Sequence, residues 1–304
     1  MLLLPFVGCN RQGSSSSAEA LFPAVASDKW GFIDKTGSFV VEPQFDDIFI
    51  YGDSSECLAQ VKIGGKWGIL DKAGKFVIKP QFDWIAIFSE GLAVVQVGDK
   101  FGYIDKTGKF VIDPQFDRAE NFSDGLAAVA IDGKYGFIDK TGKIIINPQF
   151  DGVLDVLLGE YDIKSLVSNF QEGLAAVQID DKFGYIDKTG KVVINPQFDW
   201  AYAFSEGLAP VAFEGKYGFI DKAGEFVLHP LFQEAYDFSE GLAAVVIDDK
   251  YGFIDKTGKY VIEPQFDWAE GFSEGLAAVQ IGDKYGYIDK TGRKIYMWQL
   301  KDDI

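Results

Sequence analysis

Short apolar runs separated by polar turns recur along most of this chain in one fixed order. Residues 241–267 carry a full cycle. It reads Leu242-Ala243-Ala244-Val245-Val246-Ile247, a short polar gap, Lys250-Tyr251-Gly252-Phe253-Ile254, Asp255-Lys256-Thr257-Gly258, then Tyr260-Val261-Ile262-Glu263-Pro264-Gln265-Phe266-Asp267. Runs this short, rich in β-branched and aromatic residues and bounded by Gly, Asp and Pro, predict strands. Asp-Lys-Thr-Gly predicts a tight hairpin, because Asp accepts backbone N–H bonds two residues on and the closing Gly supplies a positive φ. The turn before it, such as Asp132-Gly133 or Gly282-Asp283, predicts a second short hairpin. Proline has no N–H to give to a ladder, so Pro264 is expected to end the third strand or mark it as an edge. Each cycle is thus predicted to be a three-stranded antiparallel meander. No stretch outside Val153–Ser168 carries a helical period of useful length.

The middle strand says how the cycles pack. In Lys250-Tyr251-Gly252-Phe253-Ile254, alternate side chains point to opposite faces, and neither face is polar. Such a sheet must be covered on both sides, so each is expected to lie between the sheets before and after it. The Gly beside the aromatic is expected to let a neighbour's ring rest on bare backbone. A lone meander of this size cannot bury enough surface to hold its shape, whereas stacked ones can.

The cycle repeats eight times. The aromatic before the first Gly falls at Trp30, Trp67, Phe101, Tyr135, Phe183, Tyr217, Tyr251 and Tyr285, in steps of 37, 34, 34, 48, 34, 34 and 34 residues. A constant period in this range is the mark of a repeat architecture. The phrase Lys29-Trp30-Gly31-Phe32-Ile33-Asp34-Lys35-Thr36-Gly37 and its seven variants resemble the WG-repeat, or KWG-repeat, family of bacterial proteins, over residues 21–298. Only Trp30 and Trp67 keep the tryptophan; the other copies use Tyr or Phe, which preserve an aromatic plate. The resemblance implies a β-rich repeat with a binding or scaffolding role, and it supplies no catalytic residues.

The expected fold is therefore all-β: eight tandem three-stranded meanders of about 34 residues, β-propeller-like, spanning residues 21–304. The alternative is an open superhelical β-solenoid stack, which at ~10 Å per sheet would be ~80 Å long.

Residues 1–20 stand apart from the array. Met1–Gly8 is a short apolar run that ends in Val7-Gly8-Cys9, and Cys9–Ala20 form a tether rich in Ser. This resembles the end of a bacterial lipoprotein signal peptide, whose cysteine carries the lipid; the alternative is an apolar tail without an anchor. The positively charged stretch that normally leads such a signal is absent, which fits a start upstream of Met1. The run is too short to span a bilayer. Lipidation at Cys9 would place the protein outside the cytoplasm, at the cell envelope, touching the membrane only through its anchor. Cys57 is the one other cysteine, so no disulfide framework is expected. It replaces the Gly of the Gly-Leu-Ala start in a loosened first repeat.

Net charge is -17, from 29 basic and 46 acidic residues. Such a surface excludes nucleic acid as a partner. Lysines occupy two fixed places per repeat, before the phrase aromatic and after the turn Asp, and are expected to pair weakly with nearby acids. Asp46, Asp83, Asp117, Asp151, Asp199 and Asp267 end the Gln-Phe-Asp triplet, while Glu90, Glu206, Glu240 and Glu274 precede Gly-Leu-Ala. Stacked carboxylates could collect calcium, but no calcium loop is present, and turn capping beside a solvated face accounts for them. His229 is a lone histidine before Pro230. No nucleophile elbow, phosphate loop or metal cluster occurs, so no enzyme activity, cofactor or metal is expected.

Candidate binding residues are those where the copies differ. After Gln-Phe-Asp the chain reads Asp47, Trp84, Arg118, Gly152, Trp200, Glu234 and Trp268; two residues further lie Phe49, Glu120, Tyr202 and Tyr236. Trp84, Trp200, Tyr202, Tyr236 and Trp268 suit stacking on sugar rings or gripping a protein, with packing between repeats as the plainer use. The insertion near 152–168 is a second candidate. The leading expectation is a non-catalytic scaffold that binds a protein partner; a carbohydrate-binding module comes next, and a hydrolase using an acid pair last. The phrase itself, aromatic included, is expected to be framework.

Overall fold

The computed structural model describes residues 21–50, 58–71, 73–151 and 169–299. Cys9 with the whole N-terminal segment, Cys57, Gly152 and the insertion lie outside them. The chain falls into two compact units, Met1–Asp132 with Ile138–Ile144, and Gly133–Phe137 with Ile145–Ile304. Both are built from one kind of small antiparallel sheet, and among the described residues every regular element is a strand.

The sheet around Tyr251 shows the plan. Ala243–Ile247, Lys250–Ile254 and Tyr260–Phe266 form the expected meander. A fourth, two-residue strand, Glu234–Ala235, adds to its inner side and pairs Glu234 with Val246 and Ala235 with Val245. Sheets are thus commonly four-stranded, because the start of a spacer is drawn into the next sheet. The spacer start had read as variable, and a two-residue strand leaves no alternation to detect.

The turns follow their residue types. In the second hairpin, Asp255 Oδ1 accepts from the backbone N–H of Thr257 and Lys259 and from the Thr257 hydroxyl, and Gly258 closes the turn at φ 84°. The first hairpin takes positive φ at both central residues in several copies, as at Asp248 and Asp249 (49° and 58°), which matches the twist of flanking strands.

Pro264 does not end the third strand, which runs through to Phe266. The strand is the sheet's outer edge, as expected, and the proline sits in a bulge. Pairing passes from Tyr251–Phe266 directly to Phe253–Ile262, so the third strand holds extra residues opposite Gly252. In the last repeat Met297 stands in this region, and Tyr285–Trp298, Gly286–Met297 and Tyr287–Tyr296 pair without a break. The bulge therefore travels with the proline.

This bulge corrects the expected role of the Gly. A Cβ on Gly252 would lie 2.7 Å from Pro264 N and 2.8 Å from Ile262 O, within its own sheet. The atoms nearest that position are backbone of the same sheet, not a neighbour's ring. Contact with the adjacent repeat is instead made by the turn glycine: a Cβ on Gly224 would meet Ile194 Cγ2 at 3.0 Å, and one on Gly142 would meet Ile112 at 3.3 Å.

Both faces of each sheet are covered. Phe253 and Ile254, which point opposite ways, are both fully buried. One core cluster joins Leu242, Ala244, Phe253, Ile262 and Phe266 with Phe272, Ala277, Val279 and Ile288 of the next repeat. The spacer phenylalanine is central to this packing. Phe272 lies 4.8 Å from Phe253, Phe238 lies 5.0 Å from Phe219, and Phe122 lies 4.8 Å from Tyr103, all at steep interplanar angles that suit aromatic edges on faces.

A polar clamp closes several junctions. Ser205 Oγ donates to Phe238 O at 2.7 Å. Glu206 accepts from the Gly241 N–H at 3.1 Å, and Lys256 Nζ reaches both its carbonyl (2.8 Å) and its carboxylate (3.1 Å). The same set recurs at Glu90 with Gly125 and Lys140, at Glu172 with Gly207 and Lys222, and at Glu240 with Gly275 and Lys290. Glu206 stands at φ 52°, a costly conformation for a glutamate, and the clamp holds it there.

These acids are therefore not free ligands. Burial pushes the Glu206 carboxyl up, but its Lys256 and Gly241 hydrogen bonds outweigh that and leave it below the ordinary Glu value. Asp267 is held low first by the Lys250 ammonium and then by the Gly282 N–H. Asp255 is held low first by the Thr257 hydroxyl. Folded-state values below the unfolded ones add stability that is fully present above the ordinary carboxylate range and is lost as pH falls through the lowered values. An acid titration followed by circular dichroism should show an unchanged fold down to about pH 5 and destabilisation setting in below about pH 4. Glu206→Ala should cost about 1 kcal/mol, since the clamp is partly solvated, and should speed amide exchange at Gly241. Unchanged exchange would remove the clamp from the account.

Candidate functional site

The four-stranded sheets bring a spacer residue and the phrase aromatic into the same transverse row. Trp200 pairs with Ala212, and Ala212 pairs with Tyr217 on its other side. Trp84 lines up in the same way with Gln96 and Phe101, Glu234 with Val246 and Tyr251, and Trp268 with Gln280 and Tyr285. Residues in register across antiparallel strands share a face, so spacer and phrase residues look out side by side. The Trp84 and Phe101 rings are 6.4 Å apart, edge to face.

The five sequence candidates are arranged as follows. Trp84 and Trp268 are each 37% exposed, although both are large and apolar. Trp200 is half-buried, 5.2 Å from Phe183 and 6.2 Å from Tyr202, and it leans on the core of its unit. Tyr202 lies 6.3 Å from Tyr217, and its backbone N–H donates to Pro210 O. Tyr236 stacks on Tyr251 at 6.0 Å and 26°, and its hydroxyl donates to Glu234 Oε2 at 2.6 Å. Part of each half-buried ring is therefore packing, and the remainder is surface.

Within the second unit, Trp200, Tyr202 and Tyr236 belong to one neighbourhood. It also contains Tyr217 and Tyr251, not singled out from the sequence, and Glu234, noted there only as a position where the copies differ. Burial raises the pKa of Tyr202, Tyr217 and Tyr236 first, and the Glu234 carboxylate adds to the rise in all three. The phenols accordingly stay neutral donors. Asp237, next in the chain, is open to solvent, yet enough protein crowds its carboxyl that burial pushes its pKa up to about 6. Trp84 lies in the first unit, and Trp268 forms a row of its own with Tyr285.

The phrase aromatic is thus more than framework. Tyr217, Tyr251 and Tyr285 are half-buried, whereas Phe183 is buried. The signal was present in the strand alternation, which sets Tyr251 on the same face as Phe253, but alternation alone does not say where the cover ends. Among the described residues no group of three or more His, Cys, Asp or Glu converges as a metal site would. His229 is exposed and stacks on Phe226 at 5.7 Å. No helix of the described residues is long and apolar enough to cross a membrane.

Sheets of this kind, stacked through shared cores and turned outward in aromatic rows, define an all-β tandem-repeat protein. A family model described as "WG containing repeat" matches residues 30–67, 67–101, 101–135, 135–156, 165–183, 183–217, 217–251 and 251–285. The chain belongs to the WG-repeat family. No curated protein matches it. Among solved structures it is similar to a eukaryotic initiation factor at 11% identity, with 92% of this chain and 85% of that one covered and a TM-score of 0.58. It is also similar to BamB from Moraxella catarrhalis, at 13% identity, coverage of 94% and 95%, and a TM-score of 0.49. Kluyveromyces lactis Hsv2p matches at 9% identity, coverage of 85% and 99%, and a TM-score of 0.48. At such identities the first of these likenesses shows the fold alone: blade-like antiparallel sheets of the β-propeller-like class. The open solenoid stack is not needed to account for it.

Proposed function

We propose that this chain is a non-catalytic scaffold that binds a protein partner through its aromatic rows, held at a bacterial cell envelope by a lipid on Cys9. The observation that carries the reading is the pairing of spacer and phrase rings on one face, with Trp84 and Trp268 left 37% exposed. Half-open aromatics set on a rigid sheet are what binding hot spots use, because little side-chain entropy remains to be lost. The test is a pulldown from envelope extract using the folded array with Trp84, Trp200 and Trp268 changed together to Ala. Capture should fall at least about tenfold, at roughly 1–2 kcal/mol for each anchor, while the circular dichroism spectrum is retained. Undiminished capture would reject the aromatic rows. The anchor is tested separately: labelled fatty acid should enter the wild type and not Cys9→Ala.

A second reading, stacking on sugar rings, draws support from Gln96 and Gln280, whose side chains lie directly across from Trp84 and Trp268 and supply amides beside the rings. A glycan array separates it from the first.

A further inference from the structure

The neighbourhood of Glu234 differs from the rest of the surface in its charge. Elsewhere the acid that follows the third strand is neutralised: Asp46, Asp83, Asp151, Asp199 and Asp267 each pair with the lysine before the phrase aromatic. In this repeat Gln233 takes that place and bonds to Asp249, and the carboxylate moves one residue on, to Glu234. Among the described residues neither Glu234 nor Asp237 has a basic side chain within ion-pair distance. Glu234 is exposed, and among the described residues the one side chain that hydrogen-bonds to it is the Tyr236 phenol. The Tyr236–Tyr251 stack borders it on one side, and the Tyr202–Tyr217 pair is near enough to feel its charge.

A carboxylate with a free oxygen beside a stacked tyrosine pair is complementary to a planar cation. Guanidinium can lie on an aromatic face while two of its N–H groups point at a carboxylate, a geometry that ammonium does not match. We infer that the Glu234–Tyr236–Tyr202 surface receives an arginine side chain from a basic segment of the partner protein. The inference rests on the protein-binding reading and gives that partner a chemistry. The net charge of -17 draws such a segment in, and the four phenol rings favour arginine once it arrives.

The probe is a fluorescein-labelled Gly-Ser peptide carrying three arginines, measured by anisotropy against the folded full chain, beside a peptide of the same length carrying lysines. The arginine peptide should bind at least about fivefold more tightly than the lysine peptide. Glu234→Gln and Tyr236→Ala should each weaken it by at least about fivefold, while Glu42→Gln, the same charge change at an exposed site of the first unit, should leave it unchanged. Equal binding of the two peptides, or an equal loss in Glu42→Gln, would overturn the inference in favour of unspecific attraction to an acidic protein. Should the peptide results fail while the triple tryptophan variant still loses its partner in the pulldown, the protein-binding reading stands and only the arginine chemistry falls.

Discussion

Gly252→Ala should destabilise its repeat by about 3 kcal/mol, the upper part of the range for forcing a methyl into a filled site. The added Cβ would sit 2.7 Å from Pro264 N and 2.8 Å from Ile262 O, and both are backbone atoms that no rotamer change can move. Relief would require the bulge to open, which would break the register that carries Tyr251–Phe266 and Phe253–Ile262. The same close approach recurs at Gly68, Gly102, Gly136, Gly184 and Gly218, so this Gly is fixed by the sheet's own backbone in each of these repeats. A control lies nearby: at Gly271 an added Cβ would meet only Ser239 Cβ, at 4.0 Å, and alanine there should change stability by less than about 0.5 kcal/mol. Urea midpoints of the two variants measure the contrast. Similar midpoints would mean that the bulge yields cheaply and that the Gly of the phrase is held by something else.

Phe272→Ala should be at least as damaging, about 3–5 kcal/mol, as expected for a fully buried phenylalanine whose site cannot collapse. The ring is 1% exposed and lies 4.8 Å from Phe253 in the preceding meander. It shares a core with Phe266 on one side and with Ala277 and Val279 of the following sheet on the other, so its loss opens a void at a junction. Because stability in such arrays is a sum of unit and junction terms, the damage should concentrate in the last two repeats. Hydrogen exchange should show lost protection in Leu276–Ile281 and Lys250–Ile254 with residues 174–198 little changed. Uniform loss along the chain would mean that folding is all-or-none.

These two sites show how far sequence reading reached. The meander, its turns and the covering of both sheet faces could all be read from Asp-Lys-Thr-Gly and from the apolar alternation at Tyr251-Gly252-Phe253-Ile254, because turn chemistry and strand alternation are local. The reason for Gly252 could not be read, since the atoms it avoids belong to a bulge ten or more residues on. Nor could the role of Phe272. Copies of that phenylalanine are followed by a near-constant Ser-Glu-Gly-Leu-Ala but preceded by variable residues, and only burial marks them as core. Of the candidate site, Trp84, Trp200, Tyr202, Tyr236 and Trp268 were legible as variation against a constant scaffold. Tyr217 and Tyr251 were not, because they repeat and so looked like framework. Glu234 showed as a variable position, but nothing in the sequence set its charge apart from the other acids.

The sequence by itself determined the unit: its length, its strands, its turns, the number of copies and the family. All of these follow from short-range rules applied to a pattern repeated eight times. Tertiary structure alone decided which parts of that unit face a neighbour and which face water. The contacts that settle it, Ser205 to Phe238, Glu206 to Gly241 and Lys256 to Glu206, join residues 33, 35 and 50 apart. A period can announce that neighbours exist, but it carries no information on how their faces meet. The aromatic that recurs in each copy is therefore half core and half surface in most of them and buried at Phe183, and the charge left without a lysine at Glu234 becomes visible only once the other acids have been given their partners.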